Sequence, residues 1–377
     1  MEIIKSVGVS CVEASADTEA DPLYMGHAYM DDWAEEVGRW EKKLSAKVVN
    51  IYSGHGTYAT LGLAHTDPRV RRRIFDDWLC PMVATAARIR AGFGFYCHAF
   101  PESTLQDVHA YREAEDHLYD QLARIAAIAR RASLPHIGIE QMYAPHQTPW
   151  TLDGSRRLLA EVYRKARAPF YLTIDTGHQT GQLSFLKPSP REIDRLLSNS
   201  TRHGKSRQTW LGPQSALEML QQAAADPASK PELALRIEHE ISRYPHLFST
   251  PADADTYTWL RSLGCYSPII HLQQVVNSRS AHLPFTAEMN SRGLIQAPKV
   301  LESLLQSYLQ AASSNMPPRC DNIYLTLEIF TAASESATAI LSKMRESVQY
   351  WREYLPEDGL PLDKVAPSIT RSKRQTM

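Results

Sequence analysis

Apolar positions along the chain follow two alternating periods. Short runs rich in Val, Ile, Leu and aromatic residues predict strands at 6–14 (SVGVSCVEA), 47–54 (KVVNIYSG), 91–100 (AGFGFYCHAF), 136–143 (HIGIEQMY), 169–177 (PFYLTIDTG), 267–274 (SPIIHLQQ) and 322–330 (NIYLTLEIF). Between and after them the apolar residues recur at helical spacing. Residues 31–44 put Trp33, Val37 and Trp40 on one face. Residues 67–90 open on Asp67-Pro68, a cap followed by the proline that suits a first turn. Further helices are predicted at 109–132, 213–226, 231–244, 298–313 and 336–355.

Strand and helix in alternation imply a parallel sheet with helical crossovers. No glycine-rich phosphate loop follows the early strands, so a dinucleotide-binding open sheet has no support. Polar residues collect at the C-terminal ends of several strands, and a closed barrel gathers such ends around one site. The expected fold is therefore an α/β (β/α)8 TIM barrel. Seven strands are legible, so the first strand is expected to be atypical or missing, and a long insertion follows the sixth strand of the eight. That insertion, 178–266, is too long for one crossover and reads as a helical excursion over the barrel mouth, with a polar, basic stretch at 198–212. Residues 1–360 are expected to form one catalytic domain and 361–377 a polar C-terminal tail, ending in the basic ITRSKRQTM.

Composition narrows the classes. A hydrophobic content of 43% and a charged content of 22% are those of an ordinary globular protein, and a net charge of −1 gives no electrostatic reason to expect nucleic acid or an anionic membrane. No apolar run approaches the roughly 20 residues that span a bilayer. The first 21 residues turn acidic where a leader's apolar core would continue. Cys11, Cys80, Cys97, Cys265 and Cys320 are scattered, which suits reduced thiols in the cytoplasm.

The chemistry sits at four strand ends. IGIEQMY offers Glu140, LTIDTGHQ offers Asp175, PIIHLQQ offers His271 and LTLEIF offers Glu328. One carboxylate ending a strand is ordinarily an ion-pair partner or a helix cap, and DTGH by itself reads as a turn. Three carboxylates converging in a barrel repel one another, and a divalent cation removes that conflict. Three oxygen ligands and one imidazole suit Mn²⁺, Co²⁺ or Mg²⁺, with Zn²⁺ also within reach of the set.

Glu, then Asp-x-Gly-His, then His, then Glu on the last four strands resembles the xylose-isomerase-like TIM-barrel family of sugar and sugar-phosphate isomerases and epimerases, in the style of D-tagatose 3-epimerase. The resemblance implies that Glu140, Asp175, His271 and Glu328 ligate one divalent metal and that Glu140 and Glu328 double as acid and base. It implies that His178 approaches substrate oxygens and that His282, in SAHLPFT (280–286), stands at the site rim as part of the family's HxP segment. Two departures bear on the substrate: Gln273 and Gln274 stand where the family often has a carboxylate, and the 178–266 excursion is longer than usual.

The implied reaction removes a proton next to a ketose carbonyl, through a cis-enediolate. Return of the proton to the other face of the same carbon gives an epimer, and return to the neighbouring carbon gives an aldose–ketose isomer. A decarboxylase of a 3-oxo sugar acid would use the same enediolate. A metal-dependent phosphodiesterase of the endonuclease IV kind would need further His and Asp ligands and a DNA-binding face, and a barrel without catalysis would be a binding module. His98 and His55, ending the two earlier strands, and Arg279 are further candidates for substrate contact, followed by Tyr58, Gln141, Trp150 and the RHGKSR stretch (202–207). The partner is expected to be a small sugar or sugar phosphate, with homo-oligomer formation left open and neither nucleic acid nor membrane involved.

Overall fold

The computed structural model describes residues 1–54, 60–199, 210–225 and 230–365. His55, Tyr58, the RHGKSR stretch and the basic end of the tail lie outside the described residues. All seven expected strands are present, as β1 (Cys11–Ser15), β2 (Lys47–Ser53), β3 (Gly92–Phe95), β4 (Ile137–Glu140), β5 (Tyr171–Asp175), β6 (Ile269–Leu272) and β9 (Tyr324–Leu327). They pair in parallel in the order β1-β2-β3-β4-β5-β6-β9, and helices connect them. The sheet curls into a nearly closed barrel, a (β/α)8-type fold with seven sheet strands among the described residues. A separate antiparallel hairpin, β7 (Gln274–Val276) and β8 (Arg279–Leu283), follows β6.

Strand periodicity decides what enters the barrel. On β3, Phe93 and Phe95 turn toward Trp78 of the surrounding helices, with ring centroids 5.9 and 6.3 Å away. Gly92 and Gly94 alternate with them and face the lumen. A Cβ on Gly92 would lie 1.9 Å from His136 Nε2, and one on Gly94 would lie 3.0 Å from Asn50 Nδ2. The two glycines thus make room for polar side chains inside the barrel. On the same parity, β4 carries Glu140 and β5 carries Thr173 and Asp175, so the period of two delivers the strand-end acids to the lumen.

His136 begins that polar column. Its Nε2 lies 3.1 Å from Asn50 Oδ1, and burial pushes its pKa down to about 4. The folded value lies below the ordinary 6.5, so the unfolded chain binds the extra proton first. The stability contributed by neutral His136 is complete above pH 6.5 and is lost as pH falls toward 4. His136→Gln should therefore differ most from the wild type near pH 7.5. Urea unfolding should show that gap shrinking by about 2 kcal/mol on going to pH 5. A gap that stays constant with pH would contradict the burial of neutral imidazole.

The excursion follows β5, the fifth strand of the described sheet; it is sixth only in a count that places a strand before β1. Its helices Pro190–Asn199, Gln214–Ala225 and Lys230–Arg243 pack together and rest on the connection after β3. There Gln106 Oε1 accepts from Gln214 N at 2.8 Å, and His246 stacks on Tyr111 at 3.9 Å between centroids. The helix Thr256–Leu263 then rejoins the barrel wall. At the C-terminus, packing continues past residue 360: Val365 is buried against Leu301, Leu360 and Leu362.

Candidate active site

The ends of β4, β5, β6 and β9 bring Glu140, Asp175, His271 and Glu328 together. Each offers one ligand-type atom, and these atoms all lie within 4.8 Å of one another. Glu140, Asp175 and His271 are buried. The Glu328 side chain retains 25% of its exposure against 6% for Glu140, so Glu328 is the open member of the pair.

Hydrogen bonds fix the cluster from behind. Asp175 Oδ1 accepts from the backbone N–H groups of Gly177 (2.6 Å) and His178 (3.0 Å), which is the work of the tight Thr-Gly turn. Gln273 Nε2 donates to Asp175 Oδ1 and Oδ2 at 2.8 and 3.0 Å. Its Oε1 accepts from His282 N at 2.8 Å and Ser280 Oγ at 3.2 Å. Gln273, a departure from the family pattern, therefore ties an acid of the cluster to the hairpin. Gly177 permits this, because a Cβ there would lie 2.4 Å from the Gln273 side chain. Gln274 instead closes the hairpin base, through Asn290 Oδ1 and Ile295 O, both at 2.9 Å.

Glu140 has both oxygens engaged. Oε2 accepts from Tyr52 Oη, and Oε1 lies 3.1 Å from His271 Nδ1. Burial, then the Glu140 charge, raises the Tyr52 pKa well above its ordinary value, so this phenol stays a donor. Glu328 Oε2 lies 3.3 Å from His271 Nδ1 and 3.4 Å from His282 Nδ1, close enough for ion pairing. Neither contact is aligned as a hydrogen bond, and this buried oxygen has no such partner.

Charge dominates the electrostatics when no cation is present. Burial raises the Asp175 pKa, and the Glu328 and Glu140 carboxylates add to it against His178 and His271. For His271 burial opposes the charged form, but Glu13 and Glu328 prevail and hold its pKa well above the usual range. Burial alone would raise Glu328, yet His271 and His282 bring it well below the usual carboxylate range. Three acids, one of them with a buried oxygen that lacks a hydrogen bond, and one imidazole form a donor set that fits a divalent cation.

The remaining candidates separate. His178 is buried, its Nδ1–H donates to Gln141 O at 2.7 Å, and its ring lies 6.5 Å from that of His282. His282 adopts φ 47° on β8 and stacks on Phe330 at 3.9 Å, beside Glu328. The hairpin thus brings His282 to the cluster. His98 does not join it. Its ring packs by Tyr96 and Phe100 and pairs with the Thr148 carbonyl in the loop after β4, and burial brings its pKa down to about 4. Arg279 is exposed at the hairpin turn. Gln141 Oε1 accepts from Gln179, and Trp150 is buried against Phe185. Sequence reasoning missed Glu13 and Tyr52. An acid in SCVEAS could have been found by the strand-end rule that found the others, whereas Tyr52 carries no such signal.

Residues 1–203 match the family described as "Xylose isomerase-like TIM barrel". The chain belongs to that family. Over 107 residues it is 30% identical to the D-erythrulose 1-phosphate 3-epimerase of Brucella abortus, a stretch that covers 28% of this chain and 31% of that protein. The match thus spans less than a third of the relative's length. A solved structure from Rhodospirillum rubrum, assigned as a xylose isomerase, shares the fold. It has a TM-score of 0.63 and 14% identity over 93% of this chain and 90% of its own. No helix among the described residues is long and apolar enough to cross a membrane.

Proposed function

We propose that the chain is a divalent-metal-dependent sugar isomerase or epimerase, acting on a ketose or ketose phosphate through a cis-enediolate. The observation that carries this reading is the convergence of Glu140, Asp175, His271 and Glu328 within 4.8 Å at the C-terminal ends of four strands. Those four residues would hold the cation, which supplies positive charge against the oxygen charge that develops in the substrate. The likeness to the Brucella epimerase over part of the chain supports a ketose phosphate as the substrate class.

The side chains divide the remaining work. Glu328, the more exposed of the two glutamates, takes the proton from the carbon beside the carbonyl. Glu140 approaches from a nonadjacent strand, held by Tyr52, and carries the proton for the opposite face. His178 keeps Nδ1–H on Gln141 O, which leaves the Nε2 lone pair of the neutral ring to accept from a substrate hydroxyl. His282 closes the rim against Phe330. Arg279, exposed at the hairpin turn, would meet a phosphate.

Incubation in D₂O with Mn²⁺ and a panel of tetruloses, pentuloses, hexuloses and their phosphates tests the reading. Deuterium should enter at the carbon next to the carbonyl of at least one ketose, detected by mass spectrometry and NMR. Absence of exchange from every ketose, by a protein with Mn²⁺ bound, would overturn it.

A further inference from the structure

We propose that Glu13 is a positioning residue that holds His271 with its proton on Nε2 and its Nδ1 lone pair turned to the acid cluster. The inference rests on the metal-dependent reading above and adds a residue and a direction to it. Glu13 Oε2 lies 2.8 Å from His271 Nε2, whereas His271 Nδ1 faces Glu140 Oε1 at 3.1 Å and Glu328 Oε2 at 3.3 Å. An ionised carboxylate only accepts, so Nε2 donates to Glu13 and, with no cation present, Nδ1 donates to the acids; a cation held by the acids would displace only the Nδ1 proton. With the other proton fixed on Nε2, the neutral ring has its lone pair on Nδ1, the nitrogen that a cation held by the acids would take. A carboxylate behind a ligating histidine sets the tautomer, orients the ring and raises its basicity.

The placement of Glu13 is built into the barrel. The β1–β2 register shifts after Val12: Val12 is level with Val48, but Glu13 is level with Asn50. This irregularity sets Glu13 beside a lumen-facing amide instead of Val49, and such register breaks re-aim side chains next to functional sites. Asn50 Nδ2 donates to Glu13 Oε1 at 2.6 Å. The amide is thereby oriented with Oδ1 toward His136 Nε2, 3.1 Å away, so His136 must donate. Gly92 leaves the space that the His136 ring fills. Donors and acceptors therefore run one way, from His136 through Asn50 to Glu13. The Glu13 side chain keeps only 7% of its exposure, and both of its oxygens are engaged.

Glu13→Gln separates this role from space filling. The amide keeps the volume but cannot accept from both His271 and Asn50, because one of its two ends is a donor. Mn²⁺ titration of the chelated, dialysed full chain should give a Kd about 10- to 100-fold weaker than the wild type, the usual effect of losing a partner behind a ligand. Circular dichroism should show the fold retained. A variant that binds Mn²⁺ within about twofold of the wild type would overturn the role of Glu13 and leave the metal reading intact. A wild type that binds no Mn²⁺ would overturn both. Should the variant not fold, the wild type decides: with diamagnetic Zn²⁺ bound, ¹⁵N NMR should find His271 protonated at Nε2 and metal-shifted at Nδ1. The reverse assignment would overturn the inference.

Discussion

Glu328→Gln should lower turnover by about 10²-fold or more, the scale of a lost general base, while Mn²⁺ still binds. The amide keeps an oxygen for the cation and removes only the proton acceptor. Glu328 is the sharper place to test this because its environment differs from that of Glu140. Both Glu140 oxygens are hydrogen-bonded, to Tyr52 and His271, whereas Glu328 Oε2 has ion-pair contacts but no aligned hydrogen bond, and its side chain is the more exposed. Single-turnover rates and Mn²⁺ stoichiometry on the same preparation separate chemistry from binding. Isotope exchange adds direction: an epimerase using two faces retains exchange at the face served by Glu140. Rescue of Glu328→Gln to near wild-type rates by excess Mn²⁺ would make Glu328 a ligand only and send the search for the base to His178.

The same asymmetry shows what a sequence can disclose. A polar residue ending an apolar run is a local signal, and it located Glu140, Asp175, His271 and Glu328. Strand existence was equally local: each of the seven sheet strands lies where the apolar runs predict it, although 91–100 shortens to Gly92–Phe95 and 6–14 begins only at Cys11. Pairing is not local. Glu13 reaches His271 because β1 and β2 slip by one residue after Val12, which no property of SCVEAS announces. The apolar run 267–274 predicts one strand, but the chain breaks at Gln273 into a hairpin whose turn, Asn277 and Ser278, has φ 55° and 53°. That hairpin sets both the contact of His282 with the cluster and the bond of Gln273 to Asp175. His98 shows the converse: a histidine after a strand end, yet hydrogen-bonded to a carbonyl of the loop after β4 and not to the acid cluster.

Removing the metal should abolish turnover and lower thermal stability, and Mn²⁺ or Co²⁺ should restore both. Three acids within 4.8 Å of one another and of His271 repel without a cation, and the chelated protein compensates by protonating His271. The sign of the pH effect follows. His271 has a folded pKa above the ordinary 6.5, so the stability its protonated form adds to the chelated protein is complete below pH 6.5. It is lost as pH rises through the folded value. Ligation needs the neutral ring and releases that proton, so Mn²⁺ affinity should rise with pH above 6.5. At a fixed Mn²⁺ concentration the gain in Tm should therefore be larger at pH 8 than at pH 6.5. It should approach the equivalent of about 4 kcal/mol where free metal exceeds Kd by about 1,000-fold. Asp175→Asn should act mainly through this affinity, because Asp175 is wholly buried and both its oxygens are already held by Gln273. Excess Mn²⁺ should return much of its activity, in contrast to Glu328→Gln. Scanning calorimetry across pH, with and without Mn²⁺, checks the linkage, and full activity in a thoroughly chelated preparation would refute it.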